Sequence, residues 1–235
     1  MNNHNILTKT NIKVSRPVSI CFTFLMYHVA GLSQLISVIH NPFILNVIPS
    51  SKLNIVDILE ALEKYKCQIV VGLPKILNNL INHPNRKAYD LSNLFFASSG
   101  GQTVSSDLII KLKRELNIKI FSSGYSSTEV LSPVIKIFFL DYFNPNLYQY
   151  CVGKQSAFTE TKIVDPITKA IQPHNVEGEL YFRGHFMTIG YWKDEEKTRE
   201  VIDENGWYVK ILFSKPLYKI IEFLLQVHFF VFCVL

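Results

Sequence analysis

The sequence predicts an α/β fold, in which a parallel sheet flanked by helices is followed by a small β-rich subdomain. Short apolar runs alternate with helical stretches whose apolar residues recur every three to four positions. The links between these elements are short, which favours parallel strands joined by helical crossovers. From about residue 150 the pattern changes to short strands separated by turns.

The composition bounds the size and the class of the protein. The chain has 235 residues, of which 48% are hydrophobic and 18% charged, enough for one large domain. Its 24 basic residues are scattered, which argues against a nucleic-acid-binding protein. The four cysteines lie far apart and have neither metal-ligand spacing nor a disulfide pattern. The polar residues 1–16 lack the apolar core of a secretory signal, so we expect an intracellular protein, mitochondrial or cytoplasmic, without a clear targeting signal.

The first apolar stretch, residues 18–39, allows two interpretations. It carries no formal charge and is long enough to cross a bilayer, which would make the protein membrane-associated. It also contains His28, Gln34 and three serines and is followed by Asn41-Pro42. A buried strand running into a buried helix is equally compatible with this stretch.

Two strand-helix pairs are predicted next. Residues 44–48 and 68–73 are predicted strands, and the second is β-branched enough to be buried on both sides. Asn54 can cap the helix after the first strand, and Pro74 suits the first turn of the helix after the second. The predicted apolar faces consist of Ile55, Ile58, Leu59 and Leu62 in the first helix and of Ile76, Leu77, Leu80 and Ile81 in the second. Residues 82–85 are a predicted loop.

Two further predicted strands, residues 94–97 and 118–121, each end in small and polar residues. The loops that follow them are residues 98–101 and 122–129, and Ser105 or Ser106 can cap the helix between the strands. Ligands of open parallel sheets bind at the carboxyl ends of the strands. If the two strands are neighbours, the two loops face one cleft.

The second of these loops carries side chains suited to a nucleotide. Tyr125 offers an aromatic face for a base, Thr128 a hydroxyl for a phosphate oxygen, and Glu129 a carboxylate for a divalent cation. Mg²⁺ usually shares one or two protein carboxylates with substrate phosphates. Ser126 and Glu129 also have the spacing of a helix capping box, which is the structural alternative.

The β-rich part has clear turn and cap signals. Residues 162–165 and 176–182 are predicted strands, and Asp165-Pro166 begins a turn between them. Asp194 is predicted to begin a helix with acidic residues in its first turn, where the helix dipole favours them. Residues 203–206 form the turn after this helix.

Three stretches resemble the adenylate-forming enzymes, which include acyl-CoA synthetases, luciferases and peptide-synthetase adenylation domains. Residues 124–129 (GYSSTE) resemble the signature Gly-Tyr-Gly-x-Thr-Glu, with Ser126 in place of the usual glycine. Residues 25–32 (LMYHVAGL) resemble the Pro-Met-Phe-His-x-x-Gly stretch. Residues 178–184 (GELYFRG), followed by Gly190-Tyr191 and Thr198, resemble Gly-Glu-Leu-x-x-Arg-Gly…Gly-Tyr…Thr at matching separations.

The resemblance implies the fold and chemistry of an acyl-CoA synthetase, most similar to those acting on medium-chain fatty acids. It implies a partial doubly wound sheet of the N-terminal domain in residues 17–149, which would bind nucleotide and acyl group, and a β-rich subdomain in residues 150–210. The implied cofactors are ATP, Mg²⁺ and coenzyme A, and the implied substrate is a fatty acid or other small carboxylate.

The resemblance also implies roles for individual residues. Thr128 and Glu129 would be catalytic, with Glu129 holding Mg²⁺, and His28 would border the acyl pocket. The nucleotide would contact Gly100, Gly101, Gln102, Gly124, Tyr125, Ser126 and Thr128. Residues 98–101 resemble the adenine-contacting Gly-Gly-Ala-Pro loop, although Gln102 follows the glycines here. For Arg183 we favour a structural ion pair.

Parts of the family pattern are not matched. The phosphate loop with its lysine is not found in residues 1–17, and the aspartate expected after Gly206-Trp207 is replaced by residues 208–212, which contain no carboxylate. The hinge and the C-terminal domain with its catalytic lysine are unmatched as well. We therefore expect a fragment truncated at both ends and impaired or inactive by itself; a non-catalytic nucleotide- or partner-binding remnant is the alternative.

The apolar residues 211–235 do not match the family. They are an interfacial anchor or out-of-frame or intron-derived sequence, and we favour the latter. We expect self-association or contact with a membrane surface. Both expectations rest on this apolar tail and on the sheet edges that a truncation would leave open.

Overall fold

The computed structural model describes residues 17–40, 43–48, 53–131, 135–136, 154–173 and 176–210. These residues form two compact units, and the chain passes from the first to the second between Ser123 and Gly124. The domain boundary predicted near residue 150 and the tail after residue 210 lie outside the described residues.

The elements alternate as predicted. The strands are β1 Val18–Phe22, β2 Phe43–Val47, β3 Ile69–Val71, β4 Phe96–Gly100, β5 Ile120–Tyr125, β6 Ile135–Lys136, β7 Lys154–Gln155, β8 Thr159–Val164, β9 Glu179–Gly184 and β10 Tyr208–Lys210. The α-helices are α1 Val29–His40, α2 Ile55–Lys64, α3 Pro74–Asn82, α4 Ser106–Leu116 and α5 Glu195–Val201, and a 3₁₀ helix spans Pro84–Ala88 in the predicted loop.

The first unit is built on a parallel sheet. Its strands follow the order β2-β1-β3-β4-β5, and β1 pairs in parallel with both β2 and β3, as β3 does with β4. The α/β fold is therefore confirmed, and β4 and β5 are neighbours, as the predicted cleft requires. The cleft itself stays a prediction.

The helix ends form where the sequence predicts them. Asn54 accepts a hydrogen bond from the Val56 backbone N–H at 3.2 Å, and Ser105 accepts one from Leu108 at 3.2 Å. Pro74 occupies the first position of α3. Each of these three helices buries one apolar face, formed by Ile58, Leu59, Ala61 and Leu62 in α2, Leu77, Leu80 and Ile81 in α3, and Leu108, Ile109, Leu112 and Leu116 in α4.

Polar side chains link the buried strands of the sheet. The Ser19 backbone N–H donates to Gln68 Oε1 at 3.2 Å, and Asn46 Nδ2 donates to Ser19 Oγ at 2.9 Å and to the Ile20 carbonyl at 3.1 Å. Cys67 lies next to this cluster, with its sulfur 3.5 Å from Ser19 Oγ. Cys21 and Cys67 are both buried and unbridged.

The predicted burial of the first helix is wrong. Residues 18–39 form a fully buried strand and a 12-residue helix, but most of the helix is partly or fully exposed. Leu32, Leu35, Ile36 and Ile39 are between 40% and 78% exposed. No helix in the described parts of the chain combines the length and the apolar content needed to cross a membrane.

Two strands extend further than predicted. Both β4 and β5 run on into small residues that the sequence placed in loops, to Gly100 and to Tyr125. Small polar residues can stay in a strand where backbone hydrogen bonds to a neighbouring strand continue. The strand end predicted at Phe121 is therefore wrong, because β5 continues to Tyr125.

The second unit consists mainly of antiparallel strands. The end of β5 pairs with β6, and β6 with β7. A separate sheet has the order β10-β9-β8, with both pairs antiparallel. Asp165 accepts the backbone N–H groups of Ile167 and Thr168 in the predicted turn, and Asp194 caps α5 by accepting that of Lys197 at 3.0 Å.

We expect Leu112→Ala to lower the free energy of unfolding by roughly 2–5 kcal/mol, because this fully buried side chain of α4 leaves a cavity when it is truncated. Ile110→Ala is the matched control on the same helix, since Ile110 is 51% exposed. Urea denaturation measures both variants. Equal losses would contradict the assigned inner face of α4.

Candidate active site

Residues 124–129, called the signature loop below, are held to a distant segment of the second unit by backbone hydrogen bonds at and just after their end. The Thr188 N–H donates to the Glu129 carbonyl at 2.8 Å, and the Leu131 N–H donates to the Phe186 carbonyl at 3.1 Å. Val130 between them is buried in a core cluster with Leu180, Phe182 and Tyr208. Residues 126–131 are not helical, so the capping-box alternative for Ser126 and Glu129 is wrong.

The Glu129 carboxylate accepts a hydrogen bond from a tyrosine. The Tyr191 hydroxyl donates to Glu129 Oε1 at 2.6 Å. Burial alone would raise the pKa of Glu129, but the hydrogen bond from Tyr191, with smaller contributions from the backbone and from nearby hydroxyls, outweighs burial, and the pKa lies below its usual range. Glu129 is therefore an ionised, half-buried carboxylate at neutral pH.

Three tyrosines surround this charge. The hydrogen bond to Glu129 and partial burial raise the pKa of Tyr191. Burial, followed by the interaction with the nearby Glu129 carboxylate, raises the pKa of Tyr208, and burial with the nearby Glu129 charge raises that of Tyr125. All three hydroxyls are thus protonated at neutral pH. Within the described part of the chain, the buried Tyr125 hydroxyl has no hydrogen-bond partner.

The spacing of Gly190, Tyr191 and Thr198 has a geometric cause. Thr198 Oγ1 accepts the Tyr191 backbone N–H at 2.8 Å and donates to the Asp194 carbonyl at 2.8 Å. Gly190 has a φ of +148°, and a Cβ there would lie 2.8 Å from Thr198 Cγ2. Only glycine fits this close approach without strain.

Arg183 has the structural role that the sequence favoured. Its Nε and one terminal nitrogen donate to the two carboxylate oxygens of Glu160 at 3.0 and 2.7 Å. Its other terminal nitrogen donates to the Asn205 carbonyl at 3.1 Å, and its guanidinium lies 4.6 Å from the centre of the Trp207 ring. This bidentate pair joins β8 and β9 to the turn before β10.

In the first unit, His28 caps a helix. Its side chain is exposed, its Nδ1 accepts the Ala30 backbone N–H at 3.1 Å, and its carbonyl accepts those of Gly31 and Leu32. His28 is therefore not part of the core, and its acyl-pocket role stays a prediction. Gly31 is required here because a Cβ would lie 2.4 Å from the Leu25 carbonyl oxygen.

The other predicted nucleotide contacts of the first unit lie at the end of β4. Gly100 is the last residue of the strand, Gly101 has a φ of +76°, and Gln102 is exposed. Ser99, which the sequence did not single out, is buried, and its hydroxyl has no hydrogen-bond partner among the described residues.

The remaining predicted contacts, Gly124, Tyr125, Ser126, Thr128 and Glu129, lie together in the second unit, with Ser126 and Thr128 exposed. The sequence missed Tyr191, Thr198 and Tyr208 as neighbours of this loop. The fixed separation of Gly190-Tyr191 and Thr198 signalled a structural unit, but nothing in it identified Glu129 as the partner. In the described residues, no group of three or more His, Cys, Asp or Glu could hold a metal by itself.

A family model and similar curated proteins indicate the same family for this chain. Residues 2–192 match the model of a family described as AMP-binding enzyme. The chain is 30% identical over 217 residues to the mitochondrial medium-chain acyl-CoA ligase ACSF2 of Danio rerio, covering 88% of this chain and 35% of that protein. It is 31% identical over 192 residues to 4-coumarate–CoA ligase 4 of Arabidopsis thaliana, covering 81% of this chain and 33% of that protein.

Solved structures agree on the fold. The inhibitor-bound N-terminal domain of FACL13 from Mycobacterium tuberculosis superposes with a TM-score of 0.72 at 23% identity, over 85% of this chain and 48% of that one. The luciferase-like enzyme of the mealworm Zophobas morio also gives 0.72, at 25% identity over 88% and 48%. The chain spans about a third of the length of the curated relatives it matches.

We expect ionised Glu129 to stabilise the second unit at neutral pH. Its pKa in the folded protein is lowered, so this stability is present above the ordinary value of about 4.5 and is lost as the pH falls through the folded pKa. Urea unfolding between pH 7 and 3 should show wild type more stable than Glu129→Gln, by up to about 1 kcal/mol for a partly solvated group, and a difference that shrinks in acid. Tyr191→Phe should weaken this pH dependence. A constant difference across the range would contradict the assignment.

Proposed function

The chain belongs to the AMP-binding enzyme family, and from that premise we propose that it carries nucleotide- and acyl-binding parts of an ATP-dependent acid–CoA ligase. In this chemistry a carboxylate attacks the α-phosphate of ATP to give an acyl-adenylate and pyrophosphate. Coenzyme A then displaces AMP to form a thioester. The observation that carries the proposal is the ionised Glu129 carboxylate within the signature loop.

Glu129 fits a divalent cation that is shared with phosphates. It supplies a single hard anionic oxygen donor group, and Mg²⁺ characteristically takes one or two protein carboxylates together with phosphate oxygens and water. Bound Mg²⁺ would neutralise phosphate charge during adenylate formation. Thr128, exposed next to Glu129, would donate its hydroxyl to a phosphate oxygen.

Unpaired hydroxyls support a polar ligand at residues 98–101 of the first unit and at residues 124–129 of the second. The Tyr125 hydroxyl and Ser99 Oγ are buried without a hydrogen-bond partner in the described residues. A buried polar group left unpaired costs about 1–3 kcal/mol, which a ligand atom can offset. In the second unit we propose that Gly124, Tyr125 and Ser126 contact the nucleotide, and in the first unit we propose the same role for Gly100, Gly101 and Gln102.

The acid substrate is proposed from the relatives. Medium-chain acyl-CoA ligase ACSF2 supports a medium-chain fatty acid, whereas 4-coumarate–CoA ligase supports a wider class of small carboxylates. His28 would border the acyl group. The mitochondrial name of the first relative supports a mitochondrial over a cytoplasmic location.

The second candidate function is nucleotide binding without complete catalysis. Where the family pattern has an aspartate after Gly206-Trp207, this chain forms strand β10, and Tyr208 in that strand lies near Glu129. Because this position lacks the expected carboxylate, we propose that these 235 residues bind nucleotide but form adenylate slowly.

The test is ATP–pyrophosphate exchange with the 235-residue chain, Mg²⁺ and a panel of fatty acids, beside calorimetric ATP binding. We expect Mg²⁺-dependent ATP binding with weak acid-dependent exchange. Glu129→Gln should reduce the Mg²⁺-dependent affinity by at least the roughly 10–100-fold that loss of a supporting group costs in metal sites.

Glu160→Gln is the matched control, since Glu160 pairs with Arg183 rather than with the signature loop. Binding without exchange would favour the second candidate function. Folded wild-type protein that binds no ATP, or equal effects of the two substitutions, would overturn both.

A further inference from the structure

We propose that Thr198 and Tyr191 are positioning residues for Glu129, linked to it by a chain of hydrogen bonds that fixes the orientation of its carboxylate. The proposal rests on the proposed function for its consequence, cation binding, but its structural content concerns only residues of this chain. It assigns a role to the Gly-Tyr…Thr part of the sequence pattern.

The first link fixes the backbone of Tyr191. Thr198 lies in α5, whose start is capped by Asp194. Its hydroxyl bridges the Asp194 carbonyl and the Tyr191 N–H, at 2.8 Å each. Gly190 lets the chain pass close enough to Thr198 for this bridge. The first turn of α5 therefore fixes the position of the Tyr191 backbone, from which its side chain extends.

The second link joins Tyr191 to Glu129. The 2.6 Å contact between the Tyr191 hydroxyl and Glu129 Oε1 is in the range of strong bonds to an ionised acceptor. Thr188, three residues before Tyr191, donates its N–H to the Glu129 carbonyl at 2.8 Å. Glu129 is thus held at its backbone and at its carboxylate by one short segment.

The surroundings of Glu129 restrict the carboxylate further. Tyr208, in β10, lies near Glu129, and its ring is 5.0 Å from that of buried Phe182. A free glutamate samples several rotamers, whereas one held by the anchored Tyr191 hydroxyl loses that freedom before a ligand arrives. An ionised carboxylate has about four acceptor sites, so sites remain for a cation.

The experiment compares four variants of the 235-residue chain: Tyr191→Phe, Thr198→Val, Thr198→Ser and Tyr181→Phe. Tyr181→Phe is the matched control, because its hydroxyl also contacts a glutamate, Glu179, at 3.4 Å. Side-chain NMR couplings of Glu129, assigned with Glu129→Gln, report its rotamer distribution. The electron paramagnetic resonance signal of unbound Mn²⁺ reports cation affinity.

We expect Tyr191→Phe to spread the Glu129 rotamers and to weaken Mn²⁺ binding about 10-fold or more, as changes to groups that orient a metal ligand do. Thr198→Val should act in the same direction, and Thr198→Ser, which keeps the hydroxyl, should restore both measurements. Tyr181→Phe should change neither.

Unchanged Glu129 rotamers in folded Tyr191→Phe would overturn the proposal, as would a Thr198→Ser variant that behaves like Thr198→Val. Wild-type protein that binds Mn²⁺ no better than Glu129→Gln would instead overturn the proposed cation role. In that case the rotamer measurement still decides whether Thr198 and Tyr191 position Glu129.

Discussion

The second unit depends on one hydrogen bond, between the Tyr191 hydroxyl and the Glu129 carboxylate, which joins positions 62 residues apart. Without it, a half-buried charge would lack its main compensation, because burial by itself disfavours the ionised form. Backbone bonds from Thr188 and Leu131 bring the two segments together, and Val130 packs into the core beneath them. Two adjacent residues of this loop thus have different roles: Val130 packs in the apolar core, and Glu129 presents its carboxylate to Tyr191.

The sequence predicted well what local chemistry determines. Asn54, Ser105 and Asp194 cap helices where their short polar side chains precede apolar or charged first turns. The parallel sheet followed from alternation and short links. The ends of β4 and β5 were misplaced, because serine and glycine have weak preferences of their own and the neighbouring strand decides how far pairing continues.

The missed parts of the site are long-range contacts. Glu129 was recognised from its own loop, but Tyr208 contacts it from a strand that follows the last matched motif. No spacing rule connects such positions, since their proximity depends on the packing of several intervening strands. Burial of α1 was overestimated for a related reason: apolar content shows that a face can be covered, whereas the structure shows Leu32 and Ile39 largely exposed.

The polar links between β1, β2 and β3 bear on how the sheet assembles. Apolar strands such as β1 and β3 could pair in several alignments with similar packing, since one isoleucine or valine resembles another. In the observed alignment Gln68 accepts from the Ser19 N–H, and Asn46, which stands opposite Cys21, donates to Ser19 Oγ and to the Ile20 carbonyl. A shifted alignment would bury an amide without a partner, at a cost of about 1–3 kcal/mol. These two amides therefore favour the observed alignment of β1 with β2 and β3 over shifted ones, which apolar side chains alone would distinguish poorly.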